Sequence, residues 1–293
     1  MASTVPLASA SFANHNHERP VTIIRPPTFT LASAWQSVVR LSHYRDLLYA
    51  LTAHRVAVRY KQSLLGPIWA VLQPLALMLV YSAVFTVIAR VPTGGHPFAL
   101  FAYAGFLPWS AFASSIGSAS ISLVTHAPLV TRVYFPRELL PISYVAASLI
   151  DLSVASSVLV LMLAYYRVSL TMAVLWVAPA VLLLAAIAFA ASLVLCAVHV
   201  RFRDVGVAMP LLVQVWMFAS PVIYPLTAVP VRWRSFYVVN PMVGVVDTFR
   251  RAVIEGLGPD PLAFGTAVAV TAVALPLAYV VFKHTEATMA DVV

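Results

Sequence analysis

Long apolar runs separated by short charged patches set the pattern of this chain. The runs are Leu64 to Ala89, Phe98 to Val124, Leu139 to Tyr166, Val168 to Val200, Val205 to Val231 and Pro261 to Phe282. None contains Lys, Arg or Glu, and Asp151 is the one acid well inside a run. A helix needs about 20 apolar residues to cross the ~30 Å hydrocarbon core of a bilayer. Lipid offers no partner to a free backbone amide or carbonyl, so such runs are helices rather than open strands. The pattern predicts an all-α membrane protein with six transmembrane helices, at about 64–89, 98–124, 139–166, 170–198, 205–223 and 261–282.

Two segments follow a different pattern. Before the first run, Leu41, Tyr44, Leu47, Leu48 and Leu51 recur at three- and four-residue steps, with Arg45, Asp46, Tyr49 and Thr52 opposite. This predicts an N-terminal amphipathic interface helix within 31–63. Its apolar face, continued straight, meets Arg55 and Arg59, so a break is expected at Ala53 to Arg55. Between the fifth and sixth runs, Phe236 to Val239 and Pro241 to Val246 are apolar but too short to span. They read as re-entrant short helices broken at Asn240-Pro241, with Arg232, Arg234, Arg250 and Arg251 snorkelling to headgroups. Residues 1–30 read as a flexible cytoplasmic tail, 64–283 as the transmembrane domain and 284–293 as a second tail.

Composition strengthens the membrane reading. Hydrophobic residues make up 61% of the 293 and charged residues 10%, against about 25% charged in a soluble domain. The net charge is +8, which suits an anionic membrane face rather than nucleic acid once the apolar runs are present. Placing both termini in the cytoplasm puts most of the Lys and Arg inside, as the positive-inside bias requires. Cys196 is the single cysteine, so there is no disulfide framework. The first thirty residues lack the basic start and compact apolar core of a signal peptide.

Catalytic patterns are missing. A phosphate-cradling loop needs Gly-Lys-Ser/Thr, but the two lysines follow Tyr60 and Phe282. No metal-ligand spacing and no nucleophile–base arrangement is readable. Energy for any transport must come from another chain or an ion gradient. Asp151 is open to two readings, a proton relay or a structural ion pair.

From Tyr60-Lys61-Gln62-Ser63-Leu64-Leu65-Gly66-Pro67-Ile68-Trp69 onward, the chain resembles the ABC-2 family of transporter permeases, in its polysaccharide-export branch. The resemblance continues through Leu72-Gln73-Pro74-Leu75, Gly105-Phe106-Leu107-Pro108-Trp109 and the segment Leu129 to Pro141. It ends with Arg201-Phe202-Arg203-Asp204, Ser220 to Pro225 and Asn240-Pro241. It implies a homodimer bound to two copies of a cytoplasmic ABC ATPase that holds the ATP and Mg, with no cofactor in this chain. The implied substrate is lipid-linked polysaccharide, such as O-antigen or capsule, and the implied location is the bacterial cytoplasmic membrane. An ABC-2 exporter of a small molecule is the alternative.

Three groups of residues are candidates for function. Arg132, Tyr134, Phe135, Pro136, Arg137 and Glu138 lie in a proline-delimited segment expected to contact the ATPase; the alternative is an ordinary inner loop. Tyr81, Phe85, Phe101 and Phe112 are channel candidates, since sugar C–H faces stack on aromatic rings; aromatics also collect at membrane interfaces regardless of function. Arg45, Arg55, Arg59 and Lys61 are candidates for a lipid pyrophosphate, or for anionic headgroups alone.

Overall fold

The computed structural model describes residues 43–61, 63–85, 95–133 and 135–292, with side chains described to residue 286. The N-terminal tail, Arg40, Leu41, the C-terminal end of the first run, Arg90 and Tyr134 lie outside the described residues. Helix α1 (Arg45–Tyr60) carries Asp46 in its first turn and Arg59 in its last, the charge order that suits the helix dipole. It runs unbroken through Ala53 to Arg55, contrary to the expected bend. The reason is that its arginines have partners on a neighbouring helix. The Arg55 guanidinium lies 4.0 Å from the centre of the Tyr144 ring, and Arg59 pairs with Asp151.

After a turn at Gly66, whose φ of 53° suits glycine, come α2 (Ile68–Val84), α3 (Phe98–Ser120), α4 (Ser122–Thr125) and α5 (Ala127–Arg132). Then follow α6 (Leu139–Tyr165), α7 (Val177–Arg201, entered through a 3-10 turn at Met172–Trp176) and α8 (Val205–Phe218). The last elements are α9 (Val231–Tyr237), α10 (Pro241–Arg250, ending in a π-turn) and α11 (Pro261–Val292). Among the described residues four helices, α3, α6, α7 with its 3-10 entry and α11, are long and apolar enough to cross a membrane. The apolar helices α2 and α8 are shorter. With 14 residues, α8 is only about 21 Å long.

Helix α3 is the hub, touching α2, α6, α7, α8 and α10. It is the least apolar of the four long helices and the most buried, because protein rather than lipid surrounds it. Helix α10 enters the bundle between α3, α7 and α11, and every residue from Met242 to Arg250 is buried. Gly244 permits this depth: a Cβ there would strike the Ala263 carbonyl of α11.

Candidate functional site

At the end of the bundle where α6 begins, α5 starts with Pro128 in its first turn and stops at Arg132. The backbone is extended at Val133, and Pro136 prevents the helix from resuming at once. Thr131, Arg132 and Val133 point outward. Phe135 and Glu138 turn inward, so the expectation that both face a partner ATPase meets a different geometry. Phe135 is buried in an apolar cluster with Val130, Leu139, Leu140 and Phe282. The Glu138 carboxylate accepts hydrogen bonds from Lys283 Nζ at 2.7 Å and Tyr279 Oη at 3.1 Å. Lys283 also bonds Glu286 at 2.7 Å, and Arg137 Nη1 donates to the Glu286 carbonyl at 2.7 Å. A buried carboxylate is tolerated because a cation and a hydroxyl both serve it. The result is a clamp between the α5–α6 loop and the far end of α11.

The basic group of α1 divides in two. Arg45 is 85% exposed beside an equally exposed Asp46, a pair worth little; Lys61 is also exposed. Arg55 and Arg59 are instead engaged within the bundle. Arg59 Nη1 pairs with Asp151 Oδ2, and Arg59 Nη2 donates to Ser114 Oγ at 3.0 Å. Tyr60 Oη donates to Asp151 Oδ1 at 2.5 Å. Burial and that carboxylate push the Tyr60 phenol up to about 12, so it remains a donor at neutral pH. Burial, with Arg55 and His54 nearby, lowers the His126 pKa; its Nε2 sits 3.2 Å from Tyr144 Oη.

At the opposite end, α8 stops at Phe218, short of the expected 223, because its last carbonyls are bonded by side chains instead of further helix. Asn240 Nδ2 donates to the Ala219 carbonyl and to Ser220 Oγ, both at 2.9 Å. Its Oδ1 accepts from Trp216 Nε1 and from the Met242 amide, each at 3.1 Å. One side chain therefore caps the end of α8 and the start of α10. Arg250 does not snorkel; its side chain is buried. Nη2 donates to the carbonyls of Pro221 (2.9 Å) and Val222 (2.6 Å), and Nη1 to that of Tyr224 (3.4 Å). The guanidinium lies 3.7 Å over the Phe101 ring, a cation–π contact. Gly105 makes the room, since a Cβ there would strike Arg250 and the Val222 carbonyl. Arg234 pairs with Asp260 at 2.8 Å, and Arg251 Nε donates to the Gly258 carbonyl at 3.0 Å.

The aromatic candidates also separate. Tyr81 on α2 and Phe85 just after it are half-buried and lean on Phe106 and Phe98 of α3, with ring centres 5.4 and 5.9 Å apart. Phe101 is buried beneath Arg250, and Phe112 is fully buried, edge-on to Trp216 of α8 at 4.9 Å. These two rings hold helices together within the chain and do not line an open path through it. Sequence reasoning missed Lys283, Tyr279 and Glu286, although a lysine ending the last apolar run was a usable signal. Among the described residues no group of His, Cys, Asp and Glu could hold a metal.

Apolar helices around a central one, clamped by charge at one end and closed by a hairpin at the other, define a multi-pass α-helical membrane protein. The model of the ABC-2 type transporter family matches residues 46–254, and the chain belongs to that family. It is 31% identical over 256 residues to the O-antigen export system permease protein RfbA of Myxococcus xanthus, covering 87% of this chain and 98% of that protein. It is 26% identical over 217 residues to the protein of the same name from Klebsiella pneumoniae, covering 74% and 83%. Against the polysialic acid transport protein KpsM of Escherichia coli it is 24% identical over 250 residues, covering 82% and 93%.

Proposed function

We propose that this chain is the permease subunit of an ATP-driven exporter that moves lipid-linked polysaccharide outward across the cytoplasmic membrane. The observation that carries the reading is the near full-length match to an O-antigen export permease, supported by the polysialic acid transporters at lower identity. Two copies assemble with two copies of a separate ABC ATPase, which binds ATP and Mg. Both termini are cytoplasmic, so the α5–α6 loop and the outer face of α1 meet the ATPase. Helices α2 and α8 flank α3 and leave apolar surface uncovered in one copy: Leu79 and Val80 on α2, and Val207, Leu211 and Val215 on α8. A second copy placed against these faces encloses a path between the protomers. The coupling role falls to the outward Arg132 and to Pro136 and Arg137, with Phe135 and Glu138 carrying the push inward.

A deletion strain tests the substrate. Loss of surface glycan with accumulation of lipid-linked glycan inside the cell is the expected outcome. Unchanged surface glycan and no intermediate would sink the reading.

A further inference from the structure

Asp151 lies twelve residues into α6, about 18 Å from Leu139 at the helical rise. A carboxylate inside so apolar a helix is costly unless both oxygens find partners. Here both do, and both partners come from α1: Arg59 on Oδ2 and Tyr60 on Oδ1. Arg59 also reaches Ser114 of α3, which in turn accepts from Ser148 Oγ of α6 at 3.3 Å. One turn earlier, Arg55 covers the Tyr144 ring of α6. At the start of α1, Leu47, Leu48 and Leu51 pack against the cluster containing Leu139 and Leu140. The interface helix is thus fastened to α6 at both ends, by apolar packing near Leu139 and by charge at Asp151.

We infer that Asp151 is a positioning residue that locks α1 to α6, so that the two helices move as a single lever when the ATPase pushes. The inference rests on the exporter reading for the source of the push. A removed charge partner leaves a buried ion unpaired, which loosens the lever without dismantling the bundle core. The lever is α1 laid along α6 from Leu139 to Asp151, and the start of α6 is clamped to α11 through Glu138. Movement at α1 therefore reaches two further helices.

The test uses the full complex with its ATPase in proteoliposomes, with three variants: Asp151→Asn, Arg59→Gln and the swap Arg59→Asp with Asp151→Arg. Each single change is expected to lower glycan exported per ATP by about tenfold, the size of a typical coupling free energy, with folded yield retained. The swap is expected to recover most of the loss. Single variants that export normally overturn the inference. So does a swap that stays inactive, because a proton relay needing a carboxylate at 151 behaves that way. A second measurement does not depend on substrate. Spin labels at Val58 and Val154, both exposed, should keep their separation between nucleotide-free and ATP-bound states in the wild type and spread apart in Asp151→Asn. A wild-type change of a helical turn (~5 Å) overturns the lever. If the wild-type complex moves no polysaccharide while the labels hold their distance, the substrate reading falls and the lever stands.

Discussion

Arg250 keeps its charge inside the bundle because the carbonyls of Pro221, Val222 and Tyr224 surround it and the face of Phe101 lies beneath it. The arrangement depends on Gly105, so Gly105→Ala should destabilise the protein by about 1–3 kcal/mol through overpacking. Gly117 on the same helix has nothing within 4 Å of a built Cβ. Gly117→Ala should therefore be neutral or gain about 0.5–1 kcal/mol. Thermal unfolding of the two variants in detergent compares them directly; equal midpoints would contradict the packing. Glu138 makes a different prediction. Its carboxylate faces Lys283 and Tyr279, so Lys283→Met should reproduce the coupling defect of Glu138→Gln in reconstituted vesicles. If Glu138 contacted the ATPase itself, Lys283→Met would be silent. Gly105, Glu138 and Asn240 all stand in motifs visible in the sequence. Ser220 and Val222, which Asn240 and Gly105 meet, stand in one as well; Arg250, Tyr279 and Lys283 do not, and their contacts join residues far apart along the chain.

At the scale of elements, periodicity predicted α1 from Leu47, Leu48 and Leu51 but placed a break at Ala53 to Arg55 that the helix does not have, since Asp151 pairs with Arg59 and the Tyr144 ring lies against Arg55. The hairpin is two short helices with Asn240-Pro241 opening the second, as the apolar pattern predicted, but the first runs over Val231–Tyr237 rather than Phe236 to Val239. The depth of α10 was not legible, because a short apolar stretch such as Pro241 to Val246 looks the same in the outer leaflet as in a protein core. Val243 is sealed beneath α11, so its reactivity reports burial in protein. Phe236 and Val239 are 76% and 56% exposed and report the surroundings of the hairpin. With Cys196 fully buried, single cysteines at 236, 239 and 258 can be compared under a membrane-impermeant thiol reagent from outside. Slow labelling at 236 and 239 beside fast labelling at 258 is the outcome expected for a hairpin that dips into the outer leaflet. Equal rates at all three would place it in water.

The whole molecule leaves α2 and α8 thinly covered on either side of α3. A dimer closed through the α8 faces about a two-fold axis brings the two copies of Leu211 together. Leu211→Cys should then yield a covalent dimer with a short thiol cross-linker, and Leu182→Cys on α7 should not. Equal cross-linking at both positions would remove the proposed interface. Hydropathy alone determined that this protein is helical and lives in lipid, because the cost of an unpaired backbone group in hydrocarbon leaves no other solution for runs of that length. The motif set from Tyr60 to Pro241 was enough to identify the transporter family. Only the tertiary structure decided which charges are solvated and which are internal fasteners. Arg45 and Arg59 are the same residue type on one helix, yet the first is exposed and the second meets a carboxylate from α6. The distinction depends on what lies opposite each side chain once the helices pack, and pairings across 92 or 145 positions, as for Arg59–Asp151 and Glu138–Lys283, leave no local trace in the pattern of apolar and polar residues.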